Sequence, residues 1–512
     1  MASNLFIIEA PGKRKGMSNM LWRAGVRDVE VMATVGHIGT NPEGFKPLAV
    51  DSEYRETAYR LKPDKERLAA EIGKAAKAAK RIYIATDDDQ EGDVIARDVL
   101  RFCLDEGDRS RALRVRLKAL APGEIQAALA AAAPFDELSA ARGDARRIID
   151  RLIGSMSNDT GAVGRVQGSM LLMLQEQHPV VGVMTYSLQA ADAKGDWIAK
   201  VPVFAGQDVP ADAVVDGVAE AGRSEMATLA GRVMNHDEIL LSASMATGQG
   251  IGSVARAMQS LYERGQMTYP RAKDCAITPD AFRRLQAIAR MNGAGFDPSR
   301  FRAIRQPGGE HTHEAPNAMA LDVPVNRRFD LLSLEEQVLV HLTRNLIDCG
   351  IPCQFETPRL ADLAALPAEV ATLRWHRVIP TGERLWEAGP VEPGFQAWTK
   401  EQSLLHFMSR NELGRPSTVV THVEKFLSRD LVDESFELTK KGREWSAQIG
   451  ELFGHQNISK MIENYIDNNK KPPSQMVADM IEICGLNAVG SAVQQQGFVH
   501  DEDYEIPAGN LP

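Results

Sequence analysis

Glu9, Asp87, Asp89 and Glu91 stand at the ends of two short apolar runs, and Tyr269 sits in the run Thr268-Tyr269-Pro270-Arg271. Carboxylates gathered at one point repel one another, and a hard divalent cation relieves that repulsion. Magnesium, keeping part of its water shell, is the natural ion for such a set. Side chains alternate along an extended chain, so Asp87 and Asp89 face the same way. Helix capping accounts for one aspartate, but not for acidic residues at 87, 89 and 91 in succession. A neutral tyrosine is a poor nucleophile, and nearby cations favour its phenolate. Arg271 has the planar fork that matches phosphate oxygens.

The elements that position these groups are legible. Leu5-Phe6-Ile7-Ile8 ends in Glu9, and Arg81-Ile82-Tyr83-Ile84-Ala85-Thr86 ends in Asp87. Short apolar runs that stop at polar residues and feed a helix are strands of a parallel α/β sheet. Ligands of such sheets bind outside the strands' carboxyl ends. The strand and helix alternation runs to about residue 118. Helical sequence follows over 122–176, strand-like sequence over 184–243, helical over 251–347, irregular β-like over 353–400, and helical again over 402–482. The chain therefore reads as leaving a domain and later returning to it. The acidic tail past 490 reads as loosely ordered.

Composition sets wide bounds. The chain has 512 residues, 44% hydrophobic and 25% charged, which suits several globular domains. No apolar run is long enough to cross a bilayer, and Leu5 to Ile8 is too short for a signal-peptide core. The five cysteines include no CxxC pair, so neither a disulfide framework nor a zinc ribbon is expected, and a reducing cytoplasm is the default. A net charge of −10 is awkward for a nucleic-acid protein. Arg142, Arg146, Arg147 and Arg151 nevertheless cluster, so charge alone decides nothing.

Several motifs converge on one family. Glu9-Ala10-Pro11-Gly12-Lys13, Val35-Gly36-His37-Ile38 and Ala85 through Ala96 resemble the Toprim domain of type IA DNA topoisomerases. Ala145 through Gly154 resembles the family's arginine helix, and Gly164-Arg165-Val166-Gln167 its next DNA-facing motif. Met267-Thr268-Tyr269-Pro270-Arg271 resembles the nucleophile segment. His313-Glu314-Ala315 and Leu413-Gly414-Arg415-Pro416-Ser417-Thr418 follow in family order, and the resemblance covers roughly residues 1–450.

The resemblance implies a multidomain α/β plus α plus β fold. A Toprim domain at 1–118 would join helical DNA-binding parts at 119–185 and 401–490. A β-rich arch at 186–243 and 353–400, a helical domain at 244–352 carrying the tyrosine, and a flexible tail at 491–512 complete a toroidal padlock. Tyr269 would attack one DNA strand and hold its 5′ phosphate, with strand passage, magnesium-dependent religation and no ATP. No GxxxxGK[ST] loop is present. Glu9, or Lys13, would protonate the leaving 3′ oxygen, since a carboxylate among carboxylates has a raised pKa. Asp87, Asp89 and Glu91, with Glu9, would hold Mg²⁺. Arg146, oriented by Asp150, joins Arg271 and His313 at the cut. His37, Arg147, Arg151, Arg165, Gln167, Arg415, Ser417 and Thr418 would contact DNA.

The implied partner is the single-stranded segment of negatively supercoiled or catenated DNA, and the implied protein is a cytoplasmic, nucleoid-associated monomer. The sequence departs from the family at Gln90, where an arginine is common, at Asp93, which shortens a glutamate, and at Ser155, where an aromatic often stacks on a base. His311 and His313 form an HxH pair with no third metal ligand in view. Two competing readings remain: a Toprim nuclease or phosphotransferase that dispenses with Tyr269, and a DNA-binding relative of weakened turnover.

Overall fold

The computed structural model describes residues 3–45, 48–117, 122–156, 163–305, 313–386 and 391–496. The chain divides into two compact units. The first comprises Met1–Leu117, Ile125–Met173 and Lys440–Pro512; the second comprises Lys118–Glu124 and Leu174–Thr439. His311, Thr312 and the acidic tail residues lie outside the described residues.

The first unit is built on a parallel sheet. Strand Asn4–Ile8 is central, flanked by Val29–Ala33 and Arg81–Ile84, with Ala112–Arg114 beyond the latter. Both central strands are nearly continuous apolar runs, as strands covered on both faces must be. Leu5, Ile7, Ile82 and Ile84 join Ile38, Ile72 and Val99 in a single buried core. Two glycines allow close approach. A Cβ on Gly92 would stand 2.0 Å from the Asp87 carbonyl oxygen, so the turn from strand Arg81–Ile84 into helix Gln90–Cys103 requires glycine there. A Cβ on Gly143 would stand 2.4 Å from Val94 Cγ2, where helix Glu137–Met156 crosses helix Gln90–Cys103. Later helices return to this unit. Ile458, Ile462 and Ile466, spaced one turn apart on helix Ile458–Asn468, are all fully buried.

The second unit combines one mixed and one antiparallel sheet with a set of helices. One sheet orders Gly394–Ala397, Val180–Ala190 and Trp197–Phe204, with Val214–Ala219 pairing parallel to Val180–Ala190. The other orders Ala221–Thr228, Pro352–Pro358 and Arg377–Pro380. Leu188, Trp197 and Trp375 form a buried cluster. The Arg377 guanidinium lies 4.2 Å from the Trp197 ring centre and bonds both Asp192 and Glu356.

One stretch departs from its expected type. Residues 236–243 fall in the strand-like segment, yet they open helix His236–Thr247. The cause is local: Asn235 and Glu238 form a capping box that satisfies the first free N–H groups. At the other end, helix Asn487–Gln496 carries regular structure into the start of the segment expected to be loose.

Candidate active site

The candidate residues fall into two clusters, one in each unit. In the first, strand Asn4–Ile8 delivers Glu9 and strand Arg81–Ile84 delivers Asp87, two neighbours in the sheet ending side by side. Lys13 is buried and donates to Asp87 Oδ1 at 2.7 Å. His37 Nε2 lies 3.0 Å from Glu91 Oε2. Asp89 is the N-cap of helix Gln90–Cys103, its Oδ1 accepting the Gly92 N–H at 2.7 Å. Capping thus explains one aspartate of the run, and pairing explains another: buried Asp88 accepts from Arg116 Nη1 at 2.7 Å.

Glu9 shows what this crowding does. Burial, then the charges of Asp87 and Asp89, push its carboxyl up to about 7, against the opposing pull of Lys13 and His37. At neutral pH it is divided between its acid and base forms. The hard oxygen donors of Glu9, Asp87, Asp89 and Glu91 have the right chemistry for magnesium. As placed here, among the described residues, no three acidic, His or Cys side chains converge on one ion position.

The arginine helix Glu137–Met156 differs from expectation. Arg146 is not oriented by Asp150. Its Nε and Nη2 donate to the two oxygens of Glu463 at 3.1 and 3.0 Å, and Nη2 also donates to Gln90 at 2.6 Å. Asp150 instead accepts from Arg165 Nε. The register explains this: Arg165 arrives on the next helix, Arg165–Met173, and reaches both Asp150 and Glu463. Arg147 is committed within the unit, bonded to both oxygens of Glu56 and lying 4.1 Å over the Tyr59 ring. Arg151 donates to the Leu48 carbonyl at 2.5 Å. Arg165 and Gln167 are buried. Arg147, Arg151 and Arg165 brace the unit and are not displayed as a basic surface.

In the second unit Tyr269 is only 6% exposed. Its ring lies 4.2 Å from the His313 ring centre and 5.4 Å, edge-on, from Tyr262. The segment around it is pinned from several sides. Thr268 and Asn317 exchange two bonds, each 2.9 Å. His236, which sequence reading did not single out, accounts for the next pair. Its Nδ1–H donates to the Pro270 carbonyl at 2.7 Å and its backbone N–H to the Ala272 carbonyl at 3.0 Å. Burial holds its imidazole below the ordinary pKa, consistent with a neutral ring that donates from Nδ1. His236, Lys273, Ser409, Glu412 and Arg415 line a cavity of about 250 Å³ beside this segment. Arg271 and Arg415 are half-buried, while Ser417 and Thr418 are exposed. Thr418 precedes helix Val419–Ser428 without capping it through its side chain. Glu314 is a bracing residue, accepting the Thr278 N–H at 2.6 Å.

The family model of the Toprim domain matches residues 4–120. The chain carries a Toprim domain and is homologous to bacterial DNA topoisomerases I. It is 29% identical over 339 residues to the plasmid DNA topoisomerase I of Xylella fastidiosa, covering 58% of this chain and 49% of that one. It is 23% identical over 480 residues to DNA topoisomerase 1 of Aquifex aeolicus, covering 84% and 87%. The chain thus spans about half the length of the Xylella relative and nearly all of the Aquifex one. The full-length topoisomerase I of Thermotoga maritima shares the fold, with a TM-score of 0.65 at 17% identity over 96% of this chain and 90% of that one. No helix among the described residues is long and apolar enough to cross a membrane.

Proposed function

We propose that this protein is a type IA DNA topoisomerase, cutting one strand of DNA, passing another through the gap and resealing it without ATP. The observation that carries this reading is Glu9, poised near neutrality at the end of a central strand in a Toprim domain, in a chain that also holds Tyr269 in a segment pinned by Asn317 and His236. Tyr269 Oη attacks the phosphorus of a single strand and its proton passes to solvent. The bond from phosphorus to the 3′ oxygen breaks, and Glu9 supplies the proton that oxygen takes up. Lys13, paired with Asp87, keeps a positive charge beside the departing group. Arg271, Arg146 and His313 contact the reacting phosphate, and Arg415, Ser417 and Thr418 the adjoining backbone. Resealing reverses each step, so phosphodiester energy is retained in the tyrosyl linkage.

Asp87, Asp89 and Glu91, with Glu9, would hold Mg²⁺, which would neutralise charge and favour rejoining of the 3′ end. The two sheets of the second unit would serve as the arch of a padlock that opens for strand passage. The protein would work as a monomer on nucleoid DNA. The deciding experiment mixes labelled single-stranded DNA with the protein, denatures it, and maps the label. Covalent label on a peptide containing Tyr269 is expected, along with Mg²⁺-dependent relaxation of negatively supercoiled DNA. DNA hydrolysis that survives Tyr269→Phe would make the chain a Toprim nuclease instead.

A further inference from the structure

We infer that Glu463, supported by Gln90, is the positioning residue that aims Arg146 at the acidic corner. The inference rests on the topoisomerase reading above and names a residue for that same site. Glu463 is buried on helix Ile458–Asn468, more than three hundred residues along the chain from Arg146. Its Oε1 takes Arg146 Nε and Arg165 Nη2, and its Oε2 takes Arg146 Nη2. One carboxylate therefore grips the Arg146 fork at two nitrogens, which fixes both the plane of the guanidinium and its rotation.

Gln90 completes the hold. Its amide oxygen accepts from Arg146 Nη2 at 2.6 Å, and its amide nitrogen donates to Asp467 at 2.7 Å, so it ties helix Gln90–Cys103 to the helix that carries Glu463. With Nε and Nη2 gripped this way, Nη1 is the nitrogen presented to Glu91, 3.6 Å from its Oε1. The departure at position 90 belongs to the same network. An arginine there would set a second cation against Arg146, whereas glutamine accepts on one side and donates on the other. Arg146 and Arg165 carry two buried positive charges, and Glu463 faces both. A carboxylate in that position sets direction: Arg165 keeps Asp150 as a second partner, whereas loss of the Glu463 charge removes the two-point grip on Arg146.

The test uses the full chain and three readouts: thermal midpoint, affinity for a labelled single-stranded oligonucleotide, and the single-turnover rate of its covalent transfer to Tyr269. Glu463→Gln is expected to slow transfer by about tenfold or more, as misaimed groups do, with affinity held within about threefold. Gln90→Ala should slow it by about threefold. Glu463→Gln should slow it more than Asp150→Asn. A Glu463→Gln protein that transfers at the wild-type rate, or the reverse ranking against Asp150→Asn, overturns the proposal. If Glu463→Gln does not fold, Gln90→Ala decides: slower transfer at unchanged affinity supports the proposal, and the wild-type rate overturns it. A wild-type protein that forms no adduct on Tyr269 sinks the topoisomerase reading, and this proposal with it.

Discussion

The acidic corner and the tyrosine segment are built by opposite means. At the corner, polar and ionic side chains answer one another: Lys13 with Asp87, Arg116 with Asp88 and Arg146 with Glu463 as ion pairs, and His37 Nε2 with Glu91 Oε2 at 3.0 Å. Around Tyr269, the segment's backbone is grasped instead. His236 bonds the Pro270 and Ala272 carbonyls, Asn317 takes up Thr268, and His313 lies against the ring. The corner is an electrostatic device, sensitive to pH and to charge. The tyrosine segment is a mechanical one, sensitive to geometry. In the proposed reaction, where the nucleophile must reach one point and a proton must arrive at another, that division is physically sensible.

Four experiments test this contrast, beginning with the largest effect. Tyr269→Phe is expected to abolish covalent DNA adduct outright, measured by label retained after denaturation, while single-strand affinity stays within about threefold. Glu9→Gln should lower the cleavage rate by about 10²-fold or more, since a positioned acid contributes that much. The sign with pH follows from its raised pKa. Protonated Glu9 can donate, so wild-type cleavage measured without Mg²⁺ falls as pH rises through about 7, and Glu9→Gln should be flat across that range. Stability moves in the same sense: the neutral, buried form favours folding, and that contribution fades as pH rises through about 7.

The mechanical side is probed next. His236→Leu should slow adduct formation by about tenfold through a loosened Pro270, and His236→Asn, whose amide can replace the Nδ1 donor, should recover most of it. A leucine variant of wild-type speed would break the contrast. The last change, Gly92→Ala, is read by stability rather than by rate. It should cost about 1–3 kcal/mol of stability in denaturant unfolding, because the new methyl meets the Asp87 carbonyl.

Legibility in the sequence follows how far each feature reaches. The two central strands and their acidic ends were visible because apolar runs and their polar stops are local. The helix His236–Thr247 was misread as strand-like, although Asn235 and Glu238 stand at the spacing of a capping box and could have warned of it. Asp150 was expected to serve Arg146 because four-residue spacing places side chains together on a helix. Glu463 displaced it from far along the chain, and nothing local marks a buried glutamate beside the apolar stripe of Ile458, Ile462 and Ile466. His236 carried no signal either, since its partners are backbone carbonyls rather than side chains.

The distance between Arg146 and Glu463 also bears on biosynthesis. A growing polypeptide makes Arg146 and Arg165 long before the carboxylate they share, so the early part of the first unit emerges before Glu463 can join it. Premature termination before residue 440 would leave Arg146 without the carboxylate that grips it, while Arg165 would keep only Asp150. Such fragments should be aggregation-prone or rapidly degraded.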